Sequence, residues 1–436
     1  MRFAIYTLGC KVNQYESQAM ETILTGRGHT LVPFESEAEI YLVNTCSVTA
    51  VSDKKCRGVI RRTRREHPQA VLGVCGCYSQ HAPEAMQELG VDLFSGTGDR
   101  QGFLTQVERF ALTRQEAESR TDDALRRSSP FEVLPAGGLT GRTRAMLKVE
   151  DGCQNFCTYC IIPFTRGPVR SASLEVAVEQ TRELAAAGYR EIVVTGIEIS
   201  SWGRDLKNGQ SLIDLLEAVC AAAPDLRIRL GSLEPRTITE DFCARAAKLP
   251  NLCPHFHLSL QSGCDATLER MHRRYDTARF LESCALLRRY FDRPAITTDL
   301  ICGFPGETEE EFARTLAFLE QARFSAMHIF PYSRRPGTKA DDMPLQQPKA
   351  VKEERCRRAA AVAQALEQEY LSQWVGQTLE VLFEETVEGV PSGKGLWRGH
   401  APNYVQVTAR GADLHNVLRN VKITGVEGSA LTGELL

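Results

Sequence analysis

The sequence predicts an α/β protein in three parts: an open parallel sheet, a partial (βα)6 barrel, and a small antiparallel β-barrel. Three observations carry this reading. Short apolar runs alternate with helical stretches over residues 1–96. The alternation resumes near residue 142 with longer helices. Past residue 371 it gives way to short strands and glycines.

In the first part the runs are "RFAIYTL", "AEIYLVNT", "AVLGVCG" and "VDLFSG". Strand and helix in turn read as βαβ units, whose strands are parallel. Residues 97–141 are polar, with Gly, Pro and Ser, and read as a linker holding one helix. Six candidate strands follow within 142–371: "AMLKVE", "EIVVTG", "RIRLGS", "HFHLSL", "AITTDLICG" and "SAMHIFPY". Helices separate them, with Ser173 and Thr308 placed as N-caps ahead of acidic first turns. Repeated βα units imply a full or incomplete barrel. One long helix, 349–374, closes this part. In 372–436, "TLEVLFEE", "GLWRGH", "NYVQVTA" and "VLRNVKITGV" read as a small antiparallel barrel.

Composition narrows the class. The 436 residues are 43% hydrophobic and 25% charged, ordinary for a soluble globular chain. No apolar run is long enough to span a bilayer and no signal-peptide h-region opens the chain, so a cytoplasmic protein is expected. Fifteen cysteines, an odd number, fit a reducing compartment and point to metal or redox chemistry. With a net charge of −3, any nucleic-acid surface must be a local patch.

The strongest motif is "EDGCQNFCTYCIIP", which sets Cys153, Cys157 and Cys160 in a C-x3-C-x2-C group after the first barrel strand. Three soft thiolates suit an iron–sulfur cluster with one iron left open, or a zinc ion with a distant fourth ligand. Other strand ends carry Thr195, Gly196 and Glu198 in "VVTGIEIS", Glu234 in "GSLEP", and Ser259 and Gln261 in "HLSLQSG". In a βα barrel that end is the active face. The N-terminal part shows a parallel case. Cys10, Cys46 and the pair Cys75 and Cys77 fall at the ends of successive parallel strands, the edge where open sheets bind ligands. On pattern alone a second cluster and buried core cysteines both remain open.

The triad after a first barrel strand resembles the radical S-adenosylmethionine (SAM) superfamily. That resemblance implies a 4Fe–4S cluster on Cys153, Cys157 and Cys160, whose open iron chelates SAM and yields a 5′-deoxyadenosyl radical. It puts Tyr159 near the adenine of SAM and Thr195, Gly196 and Glu198 at its amino group. Glu234 is the candidate for the ribose hydroxyls, with Ser259 and Gln261 beside it. Seven motifs in order, "TLGCKVNQYES", "NTCSVT", "GCYSQ", "CQNFCTYCIIPFTRG", "HLSLQSG", "GFPGET" and "FPYSRRPGT", together resemble the methylthiotransferases. This implies a second 4Fe–4S cluster on Cys10, Cys46 and Cys77, and a C-terminal RNA-binding TRAM barrel. Cys77 is the ligand because it precedes the tyrosine; Cys75 points to the same side if the strand stays extended.

Three branches of that family act on isopentenyl-adenosine in tRNA, on threonylcarbamoyl-adenosine in tRNA, and on an aspartate of a ribosomal protein. Lys11-Val12-Asn13 after Cys10 resembles the threonylcarbamoyl branch. The implied reaction replaces the C2 hydrogen of N6-threonylcarbamoyladenosine at tRNA position 37 with a methylthio group. That carbon has no acidic proton, so a radical route is sensible. The expected partners are the tRNA anticodon loop and an electron donor such as flavodoxin or ferredoxin, with the enzyme a monomer. Candidate RNA contacts are Arg57, Arg61, Arg64 and Arg65 on one face of the basic helix over 52–66, and Arg398 and Lys422 among the cations of the last barrel, which also include Lys394, Arg410 and Arg419. The competing class is a non-catalytic iron–sulfur RNA-binding protein.

Overall fold

The computed structural model describes residues 1–115, 119–127, 129–137, 143–387 and 395–436. The N-terminal sheet has five parallel strands in the order Thr30–Leu31, Arg2–Thr7, Ile40–Thr45, Val71–Gly76, Leu93–Phe94. Parallel strands need cover on both faces. Helices Lys11–Gly26 and Arg100–Thr113 pack one face through Met20, Leu24, Phe103 and Val107. Helix Ala50–Glu66 covers the other through Cys56 and Ile60. Its N-cap is Thr49, whose hydroxyl accepts from the Ser52 amide at 3.1 Å. The helix expected within 97–141 is thus part of this core. Further along, the Leu134 carbonyl accepts from the Tyr15 hydroxyl and the Gln180 amide, both at 2.7 Å.

The six expected barrel strands all form: Arg144–Lys148, Glu191–Thr195, Arg227–Leu230, His255–Gln261, Ala295–Cys302 and Ala326–Pro331. Every pairing among them is parallel. They fall into two hydrogen-bonded groups, and among the described residues the first and last strands do not pair. The barrel is therefore open along one side. Ser173 and Thr308 cap their helices as expected, the latter in a capping box with Glu311. Helix Lys349–Ser372 runs on into the C-terminal core, where Tyr370 and Leu371 are buried.

The C-terminal residues form a closed five-stranded barrel. Four junctions are antiparallel, as expected. The fifth pairs Gln406–Gly411 with Ala430–Leu435 in parallel, because the strand Val417–Glu427 crosses between them before the chain returns. No helix among the described residues is long and apolar enough to cross a membrane.

A buried ion network joins the N-terminal sheet to the first barrel strand. The Glu16 carboxylate pairs with Arg100 at 3.0 Å, Arg166 at 2.8 Å and Lys148 at 3.3 Å. Asp151 closes the network on Lys148 at 2.7 Å and Arg166 at 3.1 Å. Burial alone raises the pKa of Glu16; Arg100, Arg166 and Lys148 together outweigh it and hold the carboxyl below its ordinary range. A second buried tie runs from Arg335, in the loop after the last barrel strand, to Asp53 and Ser47.

Removing one partner from such a network leaves charges buried without counter-charge, which costs about 3–5 kcal/mol. Glu16→Gln is expected to lower the urea midpoint accordingly. Because the folded pKa of Glu16 lies below its unfolded value, its contribution is present above about pH 4.3 and fades as pH falls below that. The variant should therefore lose less stability than wild type between pH 5 and pH 3, read from urea midpoints at each pH.

Candidate functional site

Two loops build the first cysteine trio. The strand Glu150–Asp151 pairs with Arg170–Ser171, and Gly152 turns the chain out of it with φ at +88°. A Cβ there would lie 2.0 Å from the Pro168 carbonyl oxygen, so only glycine permits the crossing. Cys153 is then tied by its amide to the Gly167 carbonyl at 3.0 Å. Thr158 anchors the far side, its hydroxyl donating to the Arg270 carbonyl at 2.9 Å. Burial, then the neighbouring thiols, raise Cys153, and burial pushes Cys160 up to about 12. In the absence of metal these thiols hold their protons, so metal binding must release them.

Arg273 was not singled out from sequence. Its guanidinium donates to the Cys157 sulfur at 3.1 Å, to the Ser259 carbonyl at 3.4 Å and to the Tyr275 hydroxyl at 2.9 Å. It lies in "MHRRYD", where adjacent arginines carry no spacing signal, and the partner that matters, Cys157, is 116 residues away.

The strand-end residues gather beside this loop. Glu198 accepts from the Ser200 amide at 3.1 Å, the Ser201 hydroxyl at 3.0 Å and Asn155 at 3.4 Å. Thr195 is buried, and Gly196 leaves room for Glu150, whose carboxylate accepts from the Glu198 amide at 2.7 Å. Glu150 is buried with its second oxygen unpartnered, and burial raises its pKa well above the usual carboxylate range. Tyr159 packs edge-on to Phe304 at 6.4 Å. Glu234 gives both carboxylate oxygens to Arg236, at 3.0 and 2.8 Å. Ser259 takes part through its carbonyl rather than its hydroxyl, and Gln261 sits in the left-handed region at φ +70°, where the strand register slips.

The second trio forms at the sheet edge. Cys10, Cys46 and Cys77 lie within electrostatic range of one another. Gly9, at φ +121°, lies against Cys46, where a Cβ would come 3.0 Å from the Cys46 Cβ, and the Cys10 thiol donates to Asn13 at 3.4 Å. Asn13 is itself fixed by the Thr45 carbonyl at 2.9 Å and by Arg166 at 3.1 Å. Cys75 is elsewhere. It is fully buried in the core with Phe3, Leu42 and Phe103, and its electrostatic neighbours are Arg100 and Glu16. The condition for it to share the side of Cys77, an extended strand, is not met: Gly76 between them has φ +107°. A Cβ on Gly76 would come 2.4 Å from the Thr45 carbonyl oxygen, so this angle is enforced by the close approach of the neighbouring strand.

The short helix Cys77–His81 packs against Ile162–Arg166, which follows Cys160, so the two trios lie on either side of the domain junction. Three soft thiol donors on each side suit an iron–sulfur group.

The basic helix divides. Arg61 and Arg65 are exposed, and Arg57 is half-buried and stacks on Tyr78 at 5.8 Å. Arg64 leaves the candidate surface: its guanidinium is bound to the Gly90 carbonyl at 2.8 Å, the Pro68 and Ala70 carbonyls at 3.1 Å, and Asp92 at 2.5 Å. It fastens the helix to the sheet. Arg398 pairs with Glu385 at 3.4 Å, and Lys422 donates to the Gly376 carbonyl at 2.5 Å. Arg410 and Arg419 are exposed, and Lys394 lies outside the described residues.

Comparison with known proteins agrees with this geometry. Residues 147–319 match the radical SAM superfamily, and residues 2–96 match an uncharacterised protein family, UPF0004. The radical SAM methyltransferase TsrM from Kitasatospora setae, in a structure with tryptophan and a SAM analogue bound, superposes with a TM-score of 0.58 at 13% identity, over 84% of this chain and 89% of that one. The fold and the site thus define a radical SAM protein, a class that works with a 4Fe–4S cluster and SAM. Threonylcarbamoyladenosine tRNA methylthiotransferase MtaB of Bacillus subtilis is 38% identical over 96% of this chain and 93% of its own length. The Thermotoga maritima protein of the same name is 36% identical over 97% and 95%. The tRNA-2-methylthio-N(6)-dimethylallyladenosine synthase of Syntrophomonas wolfei is 33% identical over 100% and 98%. The chain belongs to the methylthiotransferase family.

The separation of the two thiols predicts distinct variants. After anaerobic reconstitution, Cys77→Ala is expected to take up less iron than wild type, and Cys75→Ala the wild-type amount. Iron and sulfide counts with the visible spectrum measure this; the reverse order would make Cys75 the ligand.

Proposed function

We propose that this chain methylthiolates C2 of N6-threonylcarbamoyladenosine at position 37 of tRNA. The observation that carries the reaction type is the pair of cysteine trios, one on each domain, on either side of the junction that the buried Glu16 network ties. The substrate reading follows the names of relatives that match this chain along nearly its whole length. Cys153, Cys157 and Cys160 would hold a 4Fe–4S cluster that with SAM would supply radical chemistry, and Cys10, Cys46 and Cys77 would hold a second that would supply the sulfur.

The chain's own residues then have separable tasks. Arg273 holds the Cys157 sulfur in place through an N–H···S bond. Glu198, Gly196 and Thr195 line the barrel end where the methionine moiety of SAM would sit, beside a 280 Å³ cavity bordered by Asn155, Ser201 and Arg204. Tyr159 supplies an aromatic wall against Phe304. Glu234 reaches the ribose only by sharing its carboxylate with Arg236. The Glu16 network keeps the two trios at fixed separation, which matters because a radical must meet its target atom before it meets anything else. The tRNA backbone is read by Arg61 and Arg65, with Arg57 beside them and Arg410 and Arg419 on the C-terminal barrel.

Mass spectrometry of tRNA nucleosides decides the substrate. In a strain lacking its own enzyme for this position, expression of the chain should yield 2-methylthio-N6-threonylcarbamoyladenosine. A methylthiolated isopentenyladenosine in its place would reassign the branch, and no methylthio nucleoside would reject the reading. For the RNA surface, Arg61→Ala and Arg65→Ala should each weaken tRNA binding and lower the slope of log K against log salt by about 1. Arg64→Ala should instead reduce stability.

A further inference from the structure

We propose that the target adenine stacks on Phe330 in the mouth of the barrel and that Asp299 accepts the hydrogen of its N6. The inference rests on the reading of an N6-substituted adenosine as substrate. Both residues stand on the inner face of the last two barrel strands. On Ala326–Pro331, Met327 and Ile329 pack into the core beneath the helices, so His328 and Phe330, which alternate with them, face the lumen. On Ala295–Cys302, Ile296 and Leu300 pack the same way, which turns Thr297 and Asp299 inward. The register sets Asp299 beside His328 and Ile301 beside Phe330.

Contacts along this wall agree. The rings of His257 and His328 are 6.2 Å apart, and those of His328 and Phe330 are 6.4 Å apart at 25°. His257 meets Asp299 through Nε2 at 3.3 Å and the Thr297 hydroxyl through Nδ1 at 3.0 Å. That hydroxyl in turn meets Nε2 of His255 at 3.2 Å. One placement of protons satisfies the whole chain: His255 donates to Thr297, Thr297 to His257, and His257 to Asp299. Asp299 is then an ionised acceptor. Among the described residues its carboxylate has no other polar partner, and 31% of its side chain is exposed.

Phe330 is 50% exposed. Its strand borders the open side of the barrel, where the first and last strands do not pair. Just past that strand, Tyr332 packs on Phe304 at 5.3 Å, and Phe304 on Tyr159 of the cysteine loop at 6.4 Å. Phe330 thus lies between the cysteine loop and the level of Asp299. A flat ring with a hydrogen-bond donor on its edge fits such a wall. A base turned out of an RNA loop stacks on an aromatic side chain in this way. With C2 of the adenine toward the cysteine loop, N6 points down the lumen. Asp299 lies there, two residues lower on the neighbouring strand, about 7 Å. An adenosine with one N6 substituent keeps one N–H, and a carboxylate accepts it in a charge-assisted hydrogen bond.

The test crosses protein and RNA. Reconstituted wild type, Asp299→Ala, Asp299→Asn, Phe330→Leu and Phe330→Tyr are assayed on anticodon stem-loop RNA. The RNA carries threonylcarbamoyladenosine or its N6-methylated counterpart, which has no N6–H. Methylation should cost wild type about 10- to 100-fold in kcat/KM. Asp299→Ala should lose a similar factor on the first RNA and nothing further on the second. Asp299→Asn, which keeps an acceptor oxygen, should recover part of the loss. Phe330→Leu should lose about 10-fold on the first RNA, and Phe330→Tyr little. Unchanged iron content and melting temperature show that the variants fold, and the wild-type comparison of the two RNAs needs no variant. A wild type indifferent to methylation, or an Asp299→Ala loss equal on both RNAs, overturns the Asp299 contact. Wild-type activity in Phe330→Leu overturns the stacking. A wild type that modifies only isopentenyladenosine RNA overturns the substrate reading instead, and the contact is then read from that nucleoside against its N6-methylated form.

Discussion

One carboxylate ties the sheet that ends in Cys10, Cys46 and Cys77 to the barrel that begins at Cys153. Glu16 reaches from the first helix to Arg100 on its own domain and to Lys148 and Arg166 on the next. All four side chains are almost fully buried. Charges of that kind persist only when every partner is present, so the docking of the two domains is close to all-or-none. The relative position of the two trios inherits this constraint. A looser apolar interface would have allowed sliding; a carboxylate shared by three cations does not.

The network also sets the field around the thiols. Arg166 touches Glu16 and Asn13 and favours ionisation of Cys77, while burial and the other thiols oppose it. Arg273 has the matching position at the first trio, donating directly to Cys157. Each trio therefore has a guanidinium behind it, buried at Arg166 and half-buried at Arg273, and each guanidinium is also held by groups other than the thiols. Metal binding has to expel protons from both trios, and a standing positive charge lowers the cost of that step.

Much of this was legible in the sequence, for physical reasons. The C-x3-C-x2-C spacing is local, and strand periodicity placed Cys10, Cys46 and Cys77 at one sheet edge because a parallel sheet gathers its strand ends. All six barrel strands formed from their apolar runs. What stayed hidden depends on distant pairing. Arg166 and Glu16 are 150 positions apart, and nothing in either local sequence shows that they meet. Arg64 reads as a surface cation by helical spacing, yet it reaches three carbonyls beyond the helix end. The choice of Cys77 over Cys75 came from the family motif, and the left-handed backbone at Gly76 between them is a feature that an extended-strand assumption cannot supply.

The C-terminal barrel has a second relation to the catalytic domain beyond its own compact fold. It provides Glu380 and Glu384 to Arg227 and Arg144, and its Ala401 and Pro402 carbonyls accept from Arg229. Two of the cations in the floor of the radical SAM barrel are thus neutralised, and a third is hydrogen-bonded, by a part of the chain that reads as an RNA-binding appendage. Such a module is not an interchangeable cassette. Any exchange of the C-terminal barrel between relatives has to carry matching carboxylates and carbonyls with it, and the two parts of the gene are bound to vary together at these positions.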